Sequence, residues 1–548
     1  MTAPRAPRWS SIPAMLAGTA EGRGDCVAVC DDTTSLTYAG LNAAARTFAA
    51  SLAESGIGPG DRVAIWCYNS AHWVVAALGT FCAGAALVPV NTRFKGPEAA
   101  DILARSGARA LVAVTDFLGT DYVAMLRAAT PALPSLETVV VAHGPASGSS
   151  VAWDDFVARA TPETRAEVER RVAALGPDDR SDILFTSGTT GSPKGVVMTH
   201  GRTLSVATDW VAMTGLATGD VYLMVNPYFH MFGLKAGILA SVAAGATMLP
   251  EPVFDADRVL ARVAEEKVSV LPGPPTLYQS LLDHPARGAH DLSSLRVAVT
   301  GAADIPVQLI RRVFDELPFS TVVTGYGLTE AGTATATGAG DDAEAVATTV
   351  GRPRPGFELR IAGPDGQATD AGDAGDAGEI LVRGPSVMAG YLDDPAETAK
   401  ALSPDGWLKT GDLGTLDEAG RLRIVGRVKD MFIVGGFNAY PAEIENALLR
   451  HPGIRQAAVI GIPDDRLGEV GMAFVVGDQL SGDEVMEWSR QQMANYKVPR
   501  VVEVVDELPL NATGKVVKDA LRERVAQASS RPSQGAPASS RPSPGAPA

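Results

Sequence analysis

The sequence predicts an α/β protein in which a large N-terminal domain is followed by a smaller α+β domain. Up to about residue 425, short apolar runs alternate with helix-like runs, which is typical of layered parallel sheets with helices on their faces. Beyond Ile361 the composition changes to turn-forming residues and short strands. We therefore expect an N-terminal domain over residues 1–426, a C-terminal domain over residues 427–525 and a tail over residues 526–548.

The apolar runs place the individual elements in order. The uncharged stretch Trp73–Val90 is long enough for a membrane span, but it is rich in alanine and contains glycine and proline. We therefore predict a buried helix over Asn69–Ala83 and then a strand. The predicted strands are Arg62–Trp66, Ala86–Val90, Ala110–Val114, Thr138–Val141, Ser181–Phe185, Val196–Met198, Val268–Leu271, Arg296–Val299, Thr321–Thr324, Glu379–Arg383 and Arg421–Val425. Turns are predicted over Ala362–Gly378, and a hinge around Gly426–Asp430.

Composition argues against several classes of protein. The chain has 47 basic and 63 acidic residues, a net charge of −16, and phosphate backbones select basic surfaces, so no nucleic-acid partner is expected. The first twenty residues lack an apolar signal-peptide core, and we expect a soluble cytoplasmic protein with no membrane segment. The sequence does not indicate an oligomeric state and leaves a homodimer open.

The four cysteines lie near the N-terminus and lack partner ligands at metal-site spacing, so buried free thiols are expected at Cys26, Cys30, Cys67 and Cys82. At the other end, ASSRPSQGAP recurs as ASSRPSPGAP over residues 528–547. Because this composition cannot bury a core, we expect the tail to be disordered.

A candidate phosphate-binding loop lies between two predicted strands. The segment TSGTTGSPKG, Thr186–Gly195, contains three glycines that let the backbone approach an anion, and Lys194 adds a positive charge. Hydroxyl donors stand at Thr186, Ser187, Thr189 and Thr190. This is not a Walker A loop, because Lys194 precedes the last glycine and a strand, not a helix, follows.

The loop resembles the signature of the adenylate-forming superfamily, which contains acyl-CoA synthetases, adenylation domains of peptide synthetases and firefly luciferases. The resemblance continues through GYGLTE (Gly325–Glu330), GWLKTGDLG (Gly406–Gly414), GRVKDMFIVGGFNAYPAEIE (Gly426–Glu445) and NATGK (Asn511–Lys515). It implies a small β-barrel-like subdomain and a mobile C-terminal domain that turns about Lys429. It also implies that a carboxylic acid attacks ATP to give acyl-AMP and pyrophosphate, after which coenzyme A takes the acyl group.

The resemblance assigns roles to residues of this sequence. Lys515 would bridge the attacking carboxylate and the α-phosphate, and Thr329 would reach the same phosphate. Glu330 would hold Mg²⁺, for which a hard carboxylate is suited. Tyr326 would stack on adenine. The residues expected to bind ATP or AMP are Thr186, Ser187, Gly188, Thr189, Thr190, Lys194, Gly301, Ala302, Ala303, Gly325, Tyr326, Gly327, Thr329, Asp412, Arg427 and Lys515.

Further residues are implied for the acid and for coenzyme A. His230 in NPYFHMFG would gate the acyl pocket, with a structural histidine as the alternative. Lys235 would contact a ketone or hydroxyl on the ring of the acid if it points inward, or it would lie on the surface. The expected pocket residues are His230, Phe232, Lys235, Gly325 and Gly327, and those of the coenzyme A tunnel are Gly435, Gly436 and Phe437. The expected catalytic residues are Lys515, Glu330, Thr186, His230 and Thr329.

Longer stretches such as NPYFHMFGLKAGILA resemble actinobacterial ligases for a bicyclic propionate left by steroid ring degradation. This favours a bulky alicyclic acid of steroid or terpenoid type over a linear fatty acid. Three functions stay open: a complete acyl-CoA ligase, an adenylating enzyme that passes acyl-AMP to a separate protein, and a non-catalytic nucleotide sensor. Retention of Lys515, Glu330 and the whole loop argues against the sensor.

Overall fold

The computed structural model describes residues 8–129, 133–186, 193–301, 307–363, 368–370, 377–434, 437–464, 466–478, 480–511 and 515–529. The chain divides into two compact units, Met1–Val428 and Lys429–Ala548. Within the described residues, the larger unit contains three β-sheets and the smaller unit one. The division falls two residues after the boundary expected from the sequence, so Arg427 belongs to the larger unit.

The strands of the larger unit are β1 (Val27–Cys30), β2 (Ser35–Thr37), β3 (Arg62–Trp66), β4 (Ala86–Pro89), β5 (Ala110–Val114), β6 (Thr138–His143), β7 (Val151–Ala152), β8 (Arg180–Thr186), β9 (Lys194–Thr199), β10 (Val221–Met224), β11 (Thr247–Pro250), β12 (Val270–Pro272), β13 (Val297–Thr300), β14 (Thr321–Leu328), β15 (Gly332–Ala336), β16 (Arg352–Pro353), β17 (Glu358–Ala362), β18 (Ala368–Asp370), β19 (Gly378–Arg383), β20 (Gly390–Tyr391), β21 (Leu408–Leu416) and β22 (Leu422–Arg427).

Its α-helices are α1 (Ile12–Arg23), α2 (Tyr38–Glu54), α3 (Ala71–Cys82), α4 (Gly96–Ser106), α5 (Tyr122–Ala129), α6 (Trp153–Val157), α7 (Pro162–Ala174), α8 (His200–Thr214), α9 (Ala240–Ala244), α10 (Ala256–Glu266), α11 (Pro275–Leu282), α12 (Val307–Glu316), α13 (Ala343–Thr348) and α14 (Pro395–Ala401). A π-helix, Phe232–Leu239, directly precedes α9, and a 3-10 turn spans Arg287–Ala289.

The first large sheet has eight strands in the order β20-β9-β8-β4-β3-β5-β6-β7. Its centre is parallel, since β3 pairs in parallel with β4 and β5, and β4 pairs in parallel with β8. Strands β8 and β9 form an antiparallel hairpin in which Thr186 pairs with Lys194. The predicted phosphate loop begins at Thr186, the last residue of β8, and β20 pairs with β9.

The second sheet has nine strands in the order β16-β15-β14-β13-β12-β10-β11-β1-β2. Strand β14 changes partner along its length. Thr321–Thr324 pairs in parallel with β13, whereas Gly325–Leu328 pairs in antiparallel fashion with β15. The third sheet is antiparallel, in the order β18-β17-β19-β21-β22, and pairs Asp412 with Arg427.

One apolar core joins the two large sheets, because its buried residues include Val63 and Val88 of the first and Val270 and Val297 of the second. Helices α2 and α3 contribute to the same core, and Ser70 caps α3 by accepting a hydrogen bond from the Trp73 N–H. Burying a large apolar side chain stabilises a fold by about 1.5–3 kcal/mol, so this core dominates the stability of the larger unit.

The smaller unit contains β23 (Phe432–Val434), β24 (Phe437–Ala439), β25 (Ile454–Asp464), β26 (Gly468–Gly477) and β27 (Val501–Val504), with α15 (Pro441–Leu448), α16 (Gly482–Gln492) and α17 (Lys518–Ser529). Its sheet has the order β24-β23-β26-β25, and β27 pairs in parallel with β26. Helix α17 continues into the first residues of the predicted tail, and the remainder of the tail lies outside the described residues.

Most predicted elements are present with small shifts in their ends, and the parallel α/β architecture is confirmed. The predicted helix over Asn69–Ala83 is α3, which begins after its Ser70 cap. All four cysteines are free, but the expectation of burial is wrong for Cys26, which is exposed because it lies in the turn between α1 and β1. Among the described residues, none of the helices combines the length and apolar character of a membrane span.

Candidate active site

The phosphate-loop hairpin ends at two residues of the predicted site. Thr186 closes β8 and Lys194 opens β9, so both side chains stand at the mouth of the loop. The predicted ligands Ser187, Gly188, Thr189 and Thr190 lie outside the described residues. The lysine forms an ion pair with Glu397 of α14, which in turn is bonded to Lys400. The hydrogen bond from Lys194, and to a smaller extent the one from Lys400, lowers the pKa of Glu397 to about 2.

Tyr391 connects the loop lysine to the predicted magnesium ligand. Its hydroxyl donates a hydrogen bond of 3.1 Å to Oε1 of Glu330, and the Lys194 ammonium lies 5.1 Å from its ring centroid. The second contact is in the range of a cation–π interaction. Strand β20, which carries Tyr391, pairs with β9, so Tyr391 links the hairpin to Glu330.

Glu330 is fixed through its backbone as well as its side chain. Its carbonyl accepts a 2.7 Å hydrogen bond from the Met388 N–H, and the neighbouring Ala331 carbonyl accepts one of 2.6 Å from Ser386. Burial raises the pKa of the Glu330 carboxyl above its usual range, while the hydrogen bond from Tyr391 acts in the opposite direction. A cation beside this carboxylate would offset the cost of its burial.

The arrangement around Glu330 fits a Mg²⁺ ion that is shared with a nucleotide. Among the described residues, no group of three or more His, Cys, Asp and Glu side chains forms a metal cage. Magnesium is commonly held by one or two carboxylates together with phosphates and water, so a single carboxylate is chemically sufficient. The preceding Thr329 is half-buried in the turn that follows β14.

A second group of side chains surrounds Asp412 on β21. The Tyr326 hydroxyl donates a 2.7 Å hydrogen bond to its Oδ2, and Nε of Arg427 lies 3.0 Å from its Oδ1. Both Tyr326 and Asp412 are buried, whereas Arg427 is half-exposed. Burial and the adjacent Asp412 charge raise the pKa of Tyr326 well above its usual value, so the hydroxyl keeps its proton and remains a donor.

The glycines of GYGLTE are required by the fold itself. A Cβ on Gly325 would lie 2.9 Å from the Thr335 carbonyl oxygen, and one on Gly327 would lie 2.5 Å from that of Gly332. These oxygens belong to β15, so the glycines allow β14 and β15 to approach each other. Gly301 follows β13 with φ near +157°, and the predicted neighbours Ala302 and Ala303 lie outside the described residues.

Of the predicted acyl-pocket residues, His230 and Phe232 lie at the start of the π-helix, whereas Gly325 and Gly327 are on β14. Nδ1 of His230 accepts a 3.2 Å hydrogen bond from the Phe232 N–H, which leaves the proton of the neutral ring on Nε2. The Phe232 ring meets the Trp210 ring edge-on at 4.8 Å. His230 is half-buried and is joined to this aromatic pair through the Phe232 backbone.

Lys235 lies in a different environment from either expectation. Its side chain is 0% exposed, and its Nζ lies 2.9 Å from Oδ1 of Asp182, which is also 0% exposed. The surface alternative is therefore wrong. Because the ammonium is engaged by Asp182 in the interior, the structure offers no support for a contact with a ring ketone. The sequence contained no sign of this pair, since Asp182 stands within the apolar run of β8.

Three further predictions concern the smaller unit. Lys515 is exposed, and its N–H donates a 2.9 Å hydrogen bond to the Asn511 side chain. Lys429 lies in the turn after β22 and is the first residue of the unit. Gly435 and Gly436 lie outside the described residues, and Phe437 opens β24.

Two residues of the site were not identified from the sequence. Tyr391 and Glu397 occur in MAGYLDDPAETAK, which has the polar composition of a surface loop and helix. Asp394 followed by Pro395 is a helix-start signal that could have located α14. Nothing in that signal indicates that Glu397 faces the phosphate loop.

Comparison with known proteins places this geometry in a family. A family model described as AMP-binding enzyme matches residues 16–392, and a model described as AMP-binding enzyme C-terminal domain matches residues 443–515. A relative from Rhodococcus jostii (strain RHA1) is 50% identical over 520 residues, which cover 94% of this chain and 98% of the relative. A relative from Mycobacterium tuberculosis (strain ATCC 25618 / H37Rv) is 50% identical over 517 residues, with the same coverage.

Both relatives are named 3-[(3aS,4S,7aS)-7a-methyl-1,5-dioxo-octahydro-1H-inden-4-yl]propanoyl:CoA ligase. A solved structure, the anthranilate CoA ligase AuaEII in complex with anthranoyl-AMP, superposes with a TM-score of 0.84 at 27% identity and covers 96% of this chain and 100% of that chain. The α/β architecture, the order of the motifs and both family models agree. The chain therefore belongs to the family of AMP-binding enzymes.

Proposed function

We propose that this protein is an AMP-forming acid–thiol ligase for a bicyclic propanoic acid. It would convert the acid, ATP and coenzyme A into the acyl-CoA, AMP and pyrophosphate, through an acyl-AMP intermediate. The observation that carries the proposal is 50% identity over 94% of the chain to two relatives named as CoA ligases for one such acid. We place the reaction in the cytoplasm, where ATP and coenzyme A are available.

The first half-reaction joins an anionic carboxylate to a polyanionic nucleotide, so its main requirements are charge neutralisation and in-line positioning. Lys194, Thr186 and the loop N–H groups are suited to the phosphates, and Thr329 to the α-phosphate. Glu330 would hold Mg²⁺, which supplies positive charge against the phosphate oxygens. Tyr391 supports this assignment because it contacts both Glu330 and Lys194.

The nucleoside would be held by the group around Asp412. A carboxylate can accept hydrogen bonds from both ribose hydroxyls. Tyr326 and Arg427 support this role, since each contacts one oxygen of Asp412. The Tyr326 ring would stack on adenine.

The smaller unit would serve both half-reactions. Lys515 would reach the attacking carboxylate and the α-phosphate during adenylation, and the residue is exposed. Gly435, Gly436 and Phe437 would line the path of coenzyme A. Lys429, where the two compact units divide, would be the point about which the smaller unit turns.

The acid would lie against the wall formed by His230, Phe232 and Trp210. The ring system in the names of the two relatives is a fused octahydroindene with one methyl and two ketone groups. Its body is apolar, and edge-on aromatic rings such as Trp210 and Phe232 suit an apolar surface. His230 would meet the carboxylate end of the acid.

The test is pyrophosphate exchange into ATP with a panel of acids, each measured with and without coenzyme A. The panel contains the bicyclic dioxo propanoate, a monocyclic propanoate, a linear fatty acid and an aromatic acid. We expect exchange with the bicyclic acid and formation of its acyl-CoA when coenzyme A is added. Pyrophosphate exchange without formation of acyl-CoA would favour transfer of the acyl group to another acceptor. The absence of exchange with every acid would refute the proposal.

A further inference from the structure

A buried ion pair lies between the two segments proposed to bind the co-substrates. Asp182 is on β8, four residues before Thr186, and Lys235 is in the middle of the π-helix that follows His230. Both side chains are 0% exposed, and Nζ and Oδ1 are 2.9 Å apart. All four residues belong to the larger unit.

The carboxylate of this pair is held in a fixed orientation. Its Oδ2 accepts hydrogen bonds of 2.6 Å from Ser181 and 2.7 Å from Thr203, and both hydroxyls are fully buried. Oδ1 is therefore left to face Lys235. Three elements, β8, α8 and the π-helix, meet at this single carboxylate.

The geometry of the strand relates the pair to the phosphate loop. Side chains of a strand alternate between faces, so Asp182 and Thr186 are on the same face of β8, about 13 Å apart along the strand. The pairing of β8 with β9 is regular over this stretch, from Asp182 with Met198 to Thr186 with Lys194. A displacement at Asp182 would thus reach the loop without a bulge to absorb it.

The pair is not explained by stability alone. Removing one partner of a buried ion pair is strongly destabilising, yet replacing both with apolar side chains of similar size is often neutral. The π-helix is also an uncommon element that recurs at functional sites. Lys235 fixes this element within two turns of His230, whose ring is proposed to face the acid.

We propose that Asp182 and Lys235 are positioning residues that fix the position of the phosphate loop relative to the acyl-pocket segment. The inference rests on the proposed function, because it assigns the two segments to the nucleotide and to the acid. Neither residue touches a substrate. The pair acts on the phosphate loop through Thr186 and on the acyl-pocket segment through His230.

The test compares Lys235→Met, Asp182→Asn and the apolar double variant Asp182→Leu/Lys235→Met with the wild type. Unfolding temperature, kcat and KM for pyrophosphate exchange, and Kd for ATP by calorimetry are measured for each. We expect the double variant to be more stable than either single variant, while its kcat stays lower than that of the wild type by about 10²-fold and its ATP binding is weaker by about tenfold. Wild-type kcat and Kd in a double variant of wild-type stability would overturn the proposal.

Arg262→Met is the matched control, because it breaks another buried ion pair of the larger unit, 2.8 Å from Glu251. It should lower the unfolding temperature and leave kcat unchanged. If the charge variants do not fold, Thr203→Val removes one hydrogen bond from Asp182 and should still lower kcat, and an unchanged kcat would overturn the proposal. A wild type that binds ATP but exchanges with no acid refutes the proposed function, and the Kd of the variants then decides this inference separately.

Discussion

Replacing Tyr326 with phenylalanine tests the proposed nucleoside site with the smallest change of shape. The substitution removes only the hydroxyl that donates 2.7 Å to Oδ2 of Asp412. A hydrogen bond to a charged group contributes about 1.5–3 kcal/mol, and about 1.4 kcal/mol corresponds to a tenfold change in affinity. Because Arg427 still holds Oδ1, we expect the lower end of this range, an increase of about tenfold in KM for ATP with little change in kcat.

Pyrophosphate exchange at varied ATP concentration measures this effect, and Tyr278→Phe is its control. Tyr278 is also buried, and its hydroxyl donates to the Leu271 and Val299 carbonyls. The control should lower the unfolding temperature and leave KM for ATP unchanged. Asp412→Asn and the double variant with Tyr326→Phe complete a double-mutant cycle. Equal KM values in the two phenylalanine variants, or additive effects in the cycle, would refute the reasoning.

The remaining predictions concern the smaller unit, the loop lysine and acid stability. Lys515→Ala should lower the rate of adenylation by roughly 10²–10³-fold, while the variant still converts supplied acyl-AMP to acyl-CoA. Glu397→Gln releases Lys194 from its carboxylate partner, and KM for ATP should fall by about twofold to fivefold at low salt because a competing negative charge is removed. Burial lowers the pKa of His200 to about 4, so between about pH 6.5 and pH 4 the unfolded chain binds a proton that the folded protein does not, and the wild type loses stability. His200→Gln removes this group, so the variant should lose less stability over the same pH range.

For each of these predictions, a specific experimental result would contradict it. An equal loss of both half-reactions would remove Lys515 from its assigned role. A higher KM for ATP in Glu397→Gln, with Glu358→Gln unchanged as the exposed paired control, would mean that Glu397 orients Lys194 and does not compete for it. For His200, the wild type should lose about 3 kcal/mol of stability relative to the variant as the pH falls from 6.5 to 4, and a constant difference would contradict the lowered pKa.

The fold could be predicted from local patterns because parallel α/β sheets produce a regular alternation of short apolar runs and helix-like runs in the sequence. Arg62–Trp66 and Ala110–Val114 have the predicted bounds, and the remaining predicted strands differ at their ends, where hydrogen bonding and not composition decides. The phosphate loop was recognisable for the same reason, since its glycines, hydroxyls and lysine are adjacent in the sequence.

Contacts between distant segments could not be predicted in this way. Asp182 and Lys235 each stand in an apolar run, and only the fold brings the two charges together. The π-helix has no apolar period of its own, so NPYFHMFGLKAGILA indicated burial without indicating this geometry. Tyr391 contacts Glu330 and Lys194 through a strand of two residues, which is too short to produce a pattern.

The distribution of thiols allows the proposed motion of the smaller unit to be tested by fluorescence. Burial raises the pKa of Cys67 and Cys82 to about 12, so both react slowly, whereas Cys26 is exposed. Residues 429–548 contain no cysteine. With the half-buried Cys30 changed to serine, Glu487→Cys on the exposed side of α16 would create a donor–acceptor pair with Cys26. Energy transfer between the two dyes would then follow the distance between the units as ATP, acid and coenzyme A are added in turn.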